Sequence, residues 1–279
     1  MKKKKQTKII GGIILIAILL VVVVLYFFRV SIKGYWDLRQ RKMDLPQEMS
    51  VKDIKKNESP PASATSTKPI VLPTPNNGGL EPAKDRPIKE LLVEINLAVP
   101  FVSQAPFRVW DEMHEETCEE ASALMVNGFY KEEKYTSQQI EDELQKMNAW
   151  ELENFGYFSD TTAEETARMM KGVYNLDAEV IYDITIEDIK KELASGHPVI
   201  IPAAGKILPN PYFSNGGPVY HMLVLKGYTK DGKFISNDPG TNTLGENFTY
   251  AFDALYTAIH DWVSDGDILT GRKAMVVVR

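Results

Sequence analysis

Apolar positions along the chain form two unlike patterns. Residues 9–28 read IIGGIILIAILLVVVVLYFF, twenty positions without a charge. That is the length of a helix crossing a hydrocarbon core about 30 Å thick. A cleaved signal peptide has a shorter apolar core ending in small residues, whereas this run ends in Leu25-Tyr26-Phe27-Phe28-Arg29. The pattern predicts a single-pass transmembrane signal anchor over 9–28, with the lipid bilayer as its partner and a short basic tail over 1–8. Positive charge is denser before the span (Lys2, Lys3, Lys4, Lys5, Lys8) than after it. This predicts a cytoplasmic tail, with the bulk of the chain extracytoplasmic at the cell membrane.

From residue 90 onward the apolar positions acquire regular periods. LLVEINL at 91–97 reads as a strand. A helix beginning at or just before Glu119 puts Ala121, Leu124, Met125 and Phe129 on one face. Further helices are predicted over about 137–149, 163–173 and 186–195. The first is opened by a Thr136–Gln139 capping-box spacing, Thr161–Glu164 and Thr162–Glu165 both repeat that spacing before the second, and Gly196 closes the third. Strands are predicted at 178–182, 198–203 and 221–228. An Asp231-Gly232 turn then leads into FISN, a helix spans about 252–261, and a last strand covers 274–278. Helices first and antiparallel strands afterwards make an α+β domain over 90–279.

Between these patterns, residues 29–89 show no sustained period. No Phe, Trp or Tyr occurs from Asp37 to Pro100, and half of the sixteen prolines lie between Pro46 and Pro87. Such a composition buries too little apolar surface to offset chain entropy, so a flexible stalk is expected over 29–89. Charge divides at the same place: residues 1–89 carry +10 and residues 90–279 carry −16. A domain at −16 repels a phosphate backbone, which excludes nucleic acid as a partner.

The 279 residues include one cysteine and four histidines. A single cysteine rules out an internal disulfide and a multi-cysteine zinc site. Phosphate-loop, dinucleotide and His-Glu-x-x-His motifs are missing from the sequence, and Asp265-Gly266-Asp267 lacks the spacing of a calcium loop, so no cofactor is expected. Cys118, in HEETCEEASALMV, falls at a predicted helix start, where free amide donors favour a thiolate. Four flanking glutamates (Glu115, Glu116, Glu119, Glu120) argue against a core position for it. They also raise a thiol pKa, so a cationic partner must come from elsewhere in the fold. His114 is close in sequence but in a loop, His197 sits in a turn, and His260 lies on a late helix. His221 follows a Gly/Pro/Asn-rich loop and opens a strand, a position from which a side chain can face a helix start across a cleft. Asp238, at the end of the next strand, is the candidate to orient it, unless it is only a turn residue in SNDPGT. Gln104, with the Cys118 N–H, is the candidate oxyanion donor.

The run VPFVSQAPF, then Trp110, CEEASALM, YHMLVLKGY and NDPG, resembles a papain-fold cysteine peptidase, closest to the bacteriocin-processing (double-glycine leader) peptidase-like family. The resemblance covers about residues 96–262 and keeps the family's order of Gln, Cys, His and Asp. It implies Cys118 as nucleophile, His221 as general base, Asp238 as the group orienting His221, and Gln104 at the oxyanion, in a hydrolase of peptide bonds whose partner is a peptide or protein substrate. Family members often carry Gly-Pro directly after the cysteine; Glu119 and Glu120 stand there in this chain. Acidic neighbours favour a basic or neutral peptide over an acidic one. A cell-wall peptide amidase and an inactive peptide-binding module remain as alternatives.

Overall fold

The computed structural model describes residues 18–22, 33–58, 92–264 and 266–279, with the side chains of 56–58 left aside. The predicted span over 9–28 lies outside the described residues except for 18–22, which are helical with exposed side chains. Among the described residues no helix is long and apolar enough to cross a membrane.

Seven antiparallel strands form one sheet: β1 (Ile95–Asn96), β2 (Ala178–Tyr182), β3 (Val199–Ala204), β4 (Tyr220–Tyr228), β5 (Lys233–Asn237), β6 (Phe248–Ala251) and β7 (Ala274–Val278). The order is β2-β7-β3-β4-β5-β6, with β1 paired to the far end of β4. All nine residues of β4 are buried, so it reads as a continuous apolar run instead of an alternating one. Gly227 lets β1 cross it: a Cβ there would meet Ile95 O at 2.0 Å.

The helices carry the caps that their sequences announce. The helix Ser137–Asn154 opens on Thr136 and Gln139, and the helix Ala163–Tyr174 on Thr162 and Glu165, each a reciprocal capping box. The competing Thr161 is buried, and its hydroxyl has no partner. The helix Ile186–Ala194 begins with a third box, Thr185 with Asp188, and ends before Gly196 at φ +89°.

The helix Cys118–Lys131 departs from the expected one-faced pattern. It is buried all round from Cys118 to Phe129, including Glu119, Glu120, Ser122 and Asn127. The flanking glutamates therefore do not mark an exposed position, and Cys118 itself is only 6% exposed. The reason is packing: β4 covers one side of this helix, and the helices Ser137–Asn154 and Ala163–Tyr174 cover others.

Part of the stretch expected as stalk is folded against the domain. Residues 33–44 and Val51–Glu58 are helical. Between them Met49 bridges Leu97, accepting from Ala98 N–H and donating to Asn96 O, both at 2.8 Å. Asn96 donates to Pro46 O at 2.9 Å. Arg41 donates to Leu244 O at 3.0 Å and lies over the Phe248 ring. Glu48 pairs with Lys226, which is 1% exposed and also donates to Asn247. A buried ammonium needs such partners, so residues 33–58 pack against the residues described from 92 onward.

Candidate active site

Cys118 is the first residue of its helix, following Thr117, whose side chain makes no capping bond. Its Sγ accepts from the Met222 backbone N–H at 3.3 Å. The thiol therefore lies against the peptide unit that joins His221 to Met222 on β4. Its own donor goes to Glu119 Oε2 at 3.0 Å.

His221 is 2% exposed and directs Nε2 at Asp238 Oδ1, 2.9 Å away. This leaves Nδ1 as the nitrogen free for chemistry. Phe213 meets the imidazole edge-on, with ring centroids 5.3 Å apart. Gly240 closes the other approach, where a Cβ would stand 3.0 Å from His221 Cε1. Asp238 is fully buried and saturated with donors: Gly240 N–H on Oδ1 at 3.1 Å, and Asn210 Nδ2 at 2.9 Å and Tyr250 OH at 2.7 Å on Oδ2. Burial works against its charge, but His221, Tyr250 and the Gly240 N–H outweigh it and hold the carboxyl below its usual value.

The thiol has the opposite environment. Burial foremost, then Glu119 and Glu120, push Cys118 well above the usual cysteine value, and the Met222 N–H only partly opposes them. The resting group is a thiol. The helix start alone does not produce the thiolate that the sequence suggests, because desolvation and two adjacent carboxyls work against it. Glu119 is itself raised well above the carboxylate range by burial and by Glu120.

Gln104 lies beside this site but is engaged differently from expectation. Its Nε2 donates to His114 O at 2.8 Å and to Glu115 O at 3.3 Å, and its Oε1 is buried without a partner. The amide thus ties down the loop that feeds into the Cys118 helix. Its N–H groups point at carbonyls and not at a vacant oxyanion position. Gln104→Ala is expected to lower the melting temperature and the turnover together. The lost buried bonds correspond to about 1–3 kcal/mol of stability. A normal melting curve with reduced turnover would instead assign the amide to the oxyanion.

The remaining histidines have partners of their own. His114 is clamped between Asp111 (2.6 Å) and Glu141 (2.9 Å), His197 bonds Glu192 at 3.0 Å, and His260 bonds Gly271 O at 2.7 Å. Sequence reasoning missed Asn210 and Tyr250. Asn210 lies in the loop singled out ahead of His221, but no local signal marks Tyr250.

A cleft of about 270 Å³ opens at Cys118, lined also by Glu115, Glu116, Glu119, Asp160, Pro218, Val219 and Tyr220. No group of His, Cys, Asp and Glu suited to a metal ion occurs among the described residues.

Helices followed by an antiparallel sheet, with a cysteine at a helix start against β4, whose His221 bonds Asp238 just past the end of β5, define an α+β fold of the papain-like cysteine peptidase class. The protein-family model described as "Peptidase_C39 like family" matches residues 96–266, and the chain belongs to that family of cysteine peptidases. No curated protein matches the sequence. Among solved structures, a Bacillus anthracis protein described as a candidate C39-like peptidase aligns at 18% identity and a TM-score of 0.44, covering 67% of this chain and 98% of that one. The active wild-type interpain A cysteine protease of Prevotella intermedia aligns at 16% identity and a TM-score of 0.30, over 55% of this chain and 62% of its own.

Proposed function

We propose that this chain is a membrane-anchored thiol hydrolase that cleaves peptide bonds outside the cytoplasm, with Cys118 as nucleophile and His221 as general base. The observation that carries the reading is the His221 Nε2–Asp238 Oδ1 bond at 2.9 Å, made on the strand whose next residue holds the Cys118 sulfur. Asp238 fixes the imidazole so that Nδ1 is its basic nitrogen. A substrate carbonyl entering the cleft displaces the thiol from Glu119 and brings it to Nδ1. His221 takes the thiol proton as sulfur attacks the carbonyl carbon, and later gives that proton to the leaving amine. Water then attacks the acyl-enzyme with His221 again acting as base, the carbon–sulfur bond breaks, and the thiolate takes the proton back from His221 as the carboxylic acid leaves. The Cys118 N–H, at the open end of its helix, is the first oxyanion donor. Gln104 adds a second only by releasing the His114 carbonyl. Residues 9–28 supply the anchor.

A membrane-impermeant, peptide-like electrophile added to intact cells tests the assignment. Cys118 is expected to be labelled, and His221→Ala is expected to slow labelling by about 10²–10⁴-fold, the usual contribution of a positioned base. Equal labelling of the variant and the wild type removes His221 from the mechanism. Labelling only after lysis reverses the orientation.

A further inference from the structure

The residues that line the cleft above Cys118 are divided by chemistry. Glu115, Glu116, Glu119 and Asp160 are its acidic members, with Asp160 close enough to act on both Glu116 and Glu119. Pro218 and Val219 also line it, and the Val219 side chain is exposed. Within the cleft Glu119 is 1% exposed, and its Oε1 has no hydrogen-bond partner. A buried carboxyl oxygen without a hydrogen-bond partner is costly, and a cation beside it would favour the ionised form that burial and Glu120 disfavour. Acids just outside the cleft are answered differently: Asp111 and Glu141 both pair with His114. Among the described residues, no such ion pair involves Glu116, Glu119 or Asp160.

We infer that this cleft is a subsite for a cationic side chain of the peptide substrate, of lysine or arginine type, next to the bond that Cys118 attacks. The inference rests on the peptidase reading above for its position on the substrate. The aliphatic stem of such a residue lies along Val219 and Pro218, and its charged head supplies the donor that Glu119 Oε1 lacks, with Glu116 and Asp160 within the same wall. Amphipathic cations divide their stem and head in this way at other apolar–acidic boundaries. The −16 charge of residues 90–279 attracts a cationic peptide toward the cleft over a longer range. Burial and neighbouring acids raise Glu116, and burial alone raises Asp160. Both groups gain from a cation beside them. The thiol stays on Glu119 Oε2 while the cation takes Oε1, so one carboxyl joins the bound side chain to the nucleophile.

The test uses the full-length protein in detergent, carrying Cys118→Ala so that nothing is cut. Blocked hexapeptide amides place lysine, norleucine or glutamate at each position in turn, and binding is read by fluorescence anisotropy. At one position lysine is expected to bind at least about tenfold more tightly than norleucine, with glutamate the weakest. Glu119→Gln combined with Asp160→Asn is expected to abolish that preference. Asp160→Asn alone, on a half-buried loop, is expected to reduce it without disturbing the helix. Norleucine binding as well as lysine at every position, no binding by any peptide, or a preference that survives the double variant each overturns the inference. If lysine is preferred in binding but the protein with Cys118 intact cuts none of the peptides, the peptidase reading fails and the cationic subsite stands. Cleavage without any charge preference has the reverse meaning.

Discussion

Asp238→Ala is expected to reduce peptide turnover by about 10⁴-fold, the size of effect seen when the group orienting a catalytic histidine is lost. Two consequences combine. His221 loses the acceptor that fixes its tautomer, so Nδ1 is no longer held as the basic nitrogen, and the imidazolium formed during attack loses its counter-charge. Meanwhile Tyr250 OH, Asn210 Nδ2 and the Gly240 N–H, all bonded to this carboxylate, lose their acceptor in a buried place. Each orphaned donor costs about 1–3 kcal/mol, so the melting temperature is expected to fall as well.

Asp238→Asn separates the two effects. An amide preserves the shape and one acceptor for His221, so most of the stability is expected to return while turnover stays low for want of the charge. Steady-state kinetics and thermal melts of both variants decide the point. Wild-type turnover in Asp238→Ala would remove this aspartate from the mechanism. Because the folded carboxyl lies below its unfolded value, its stabilising contribution is complete above the ordinary aspartate range. It is lost as pH falls through the lower folded value.

Glu151→Gln is expected to stabilise the protein at pH 8. Glu120 and Glu151 are both fully buried. Burial foremost lifts Glu151 from 4.5 to about 8, and burial with the Glu151 charge lifts Glu120 well above the carboxylate range. Two adjacent buried carboxyls cannot both ionise without strong repulsion, so they retain protons near neutrality. The folded state therefore binds more protons than the unfolded chain between about pH 4.5 and about pH 8. Stability linked to Glu151 is greatest below that window and declines as pH rises through it, by up to about 1.4 kcal/mol for each pH unit.

Removing one ionisable partner should flatten this decline and recover about 2–4 kcal/mol at pH 8. At pH 5 the variant and the wild type should unfold at similar urea concentrations. Parallel pH profiles for the two proteins would show that the carboxyls do not share this burden. Glu120 belongs to the first turn of the Cys118 helix, so the protonation of the pair also bears on the thiol, which Glu120 helps to raise.

Much of the fold follows from local pattern. The capping boxes at Thr136 and Thr162 stand where their three-residue spacing puts them, because a cap is a contact between near neighbours. The Asp231-Gly232 turn joins two strands, with Gly232 at φ +83° as such a turn requires. The order Cys118, His221, Asp238 was legible, and the structure brings these residues together through β4 and β5.

Other features depend on residues far apart in sequence. A period of 3.6 marks which helix positions are apolar, but it carries no information about how many neighbours will surround the helix. Glu119 and Glu120 looked like solvated flanks and are buried because β4 and two helices enclose them. Gln104 had the chemistry of an oxyanion donor, but the nearby His114 and Glu115 carbonyls take its protons. Residues 33–58 read as stalk by composition. Met49, Ile54 and Glu48 meet Leu97, Gly196 and Lys226, well along the chain. Local spacing and backbone preference determined the elements and the candidate residues. Burial, and the desolvation and pairing that come with it, were decided by tertiary contacts, because a charge or an amide acquires its state from whatever surrounds it once the chain has folded.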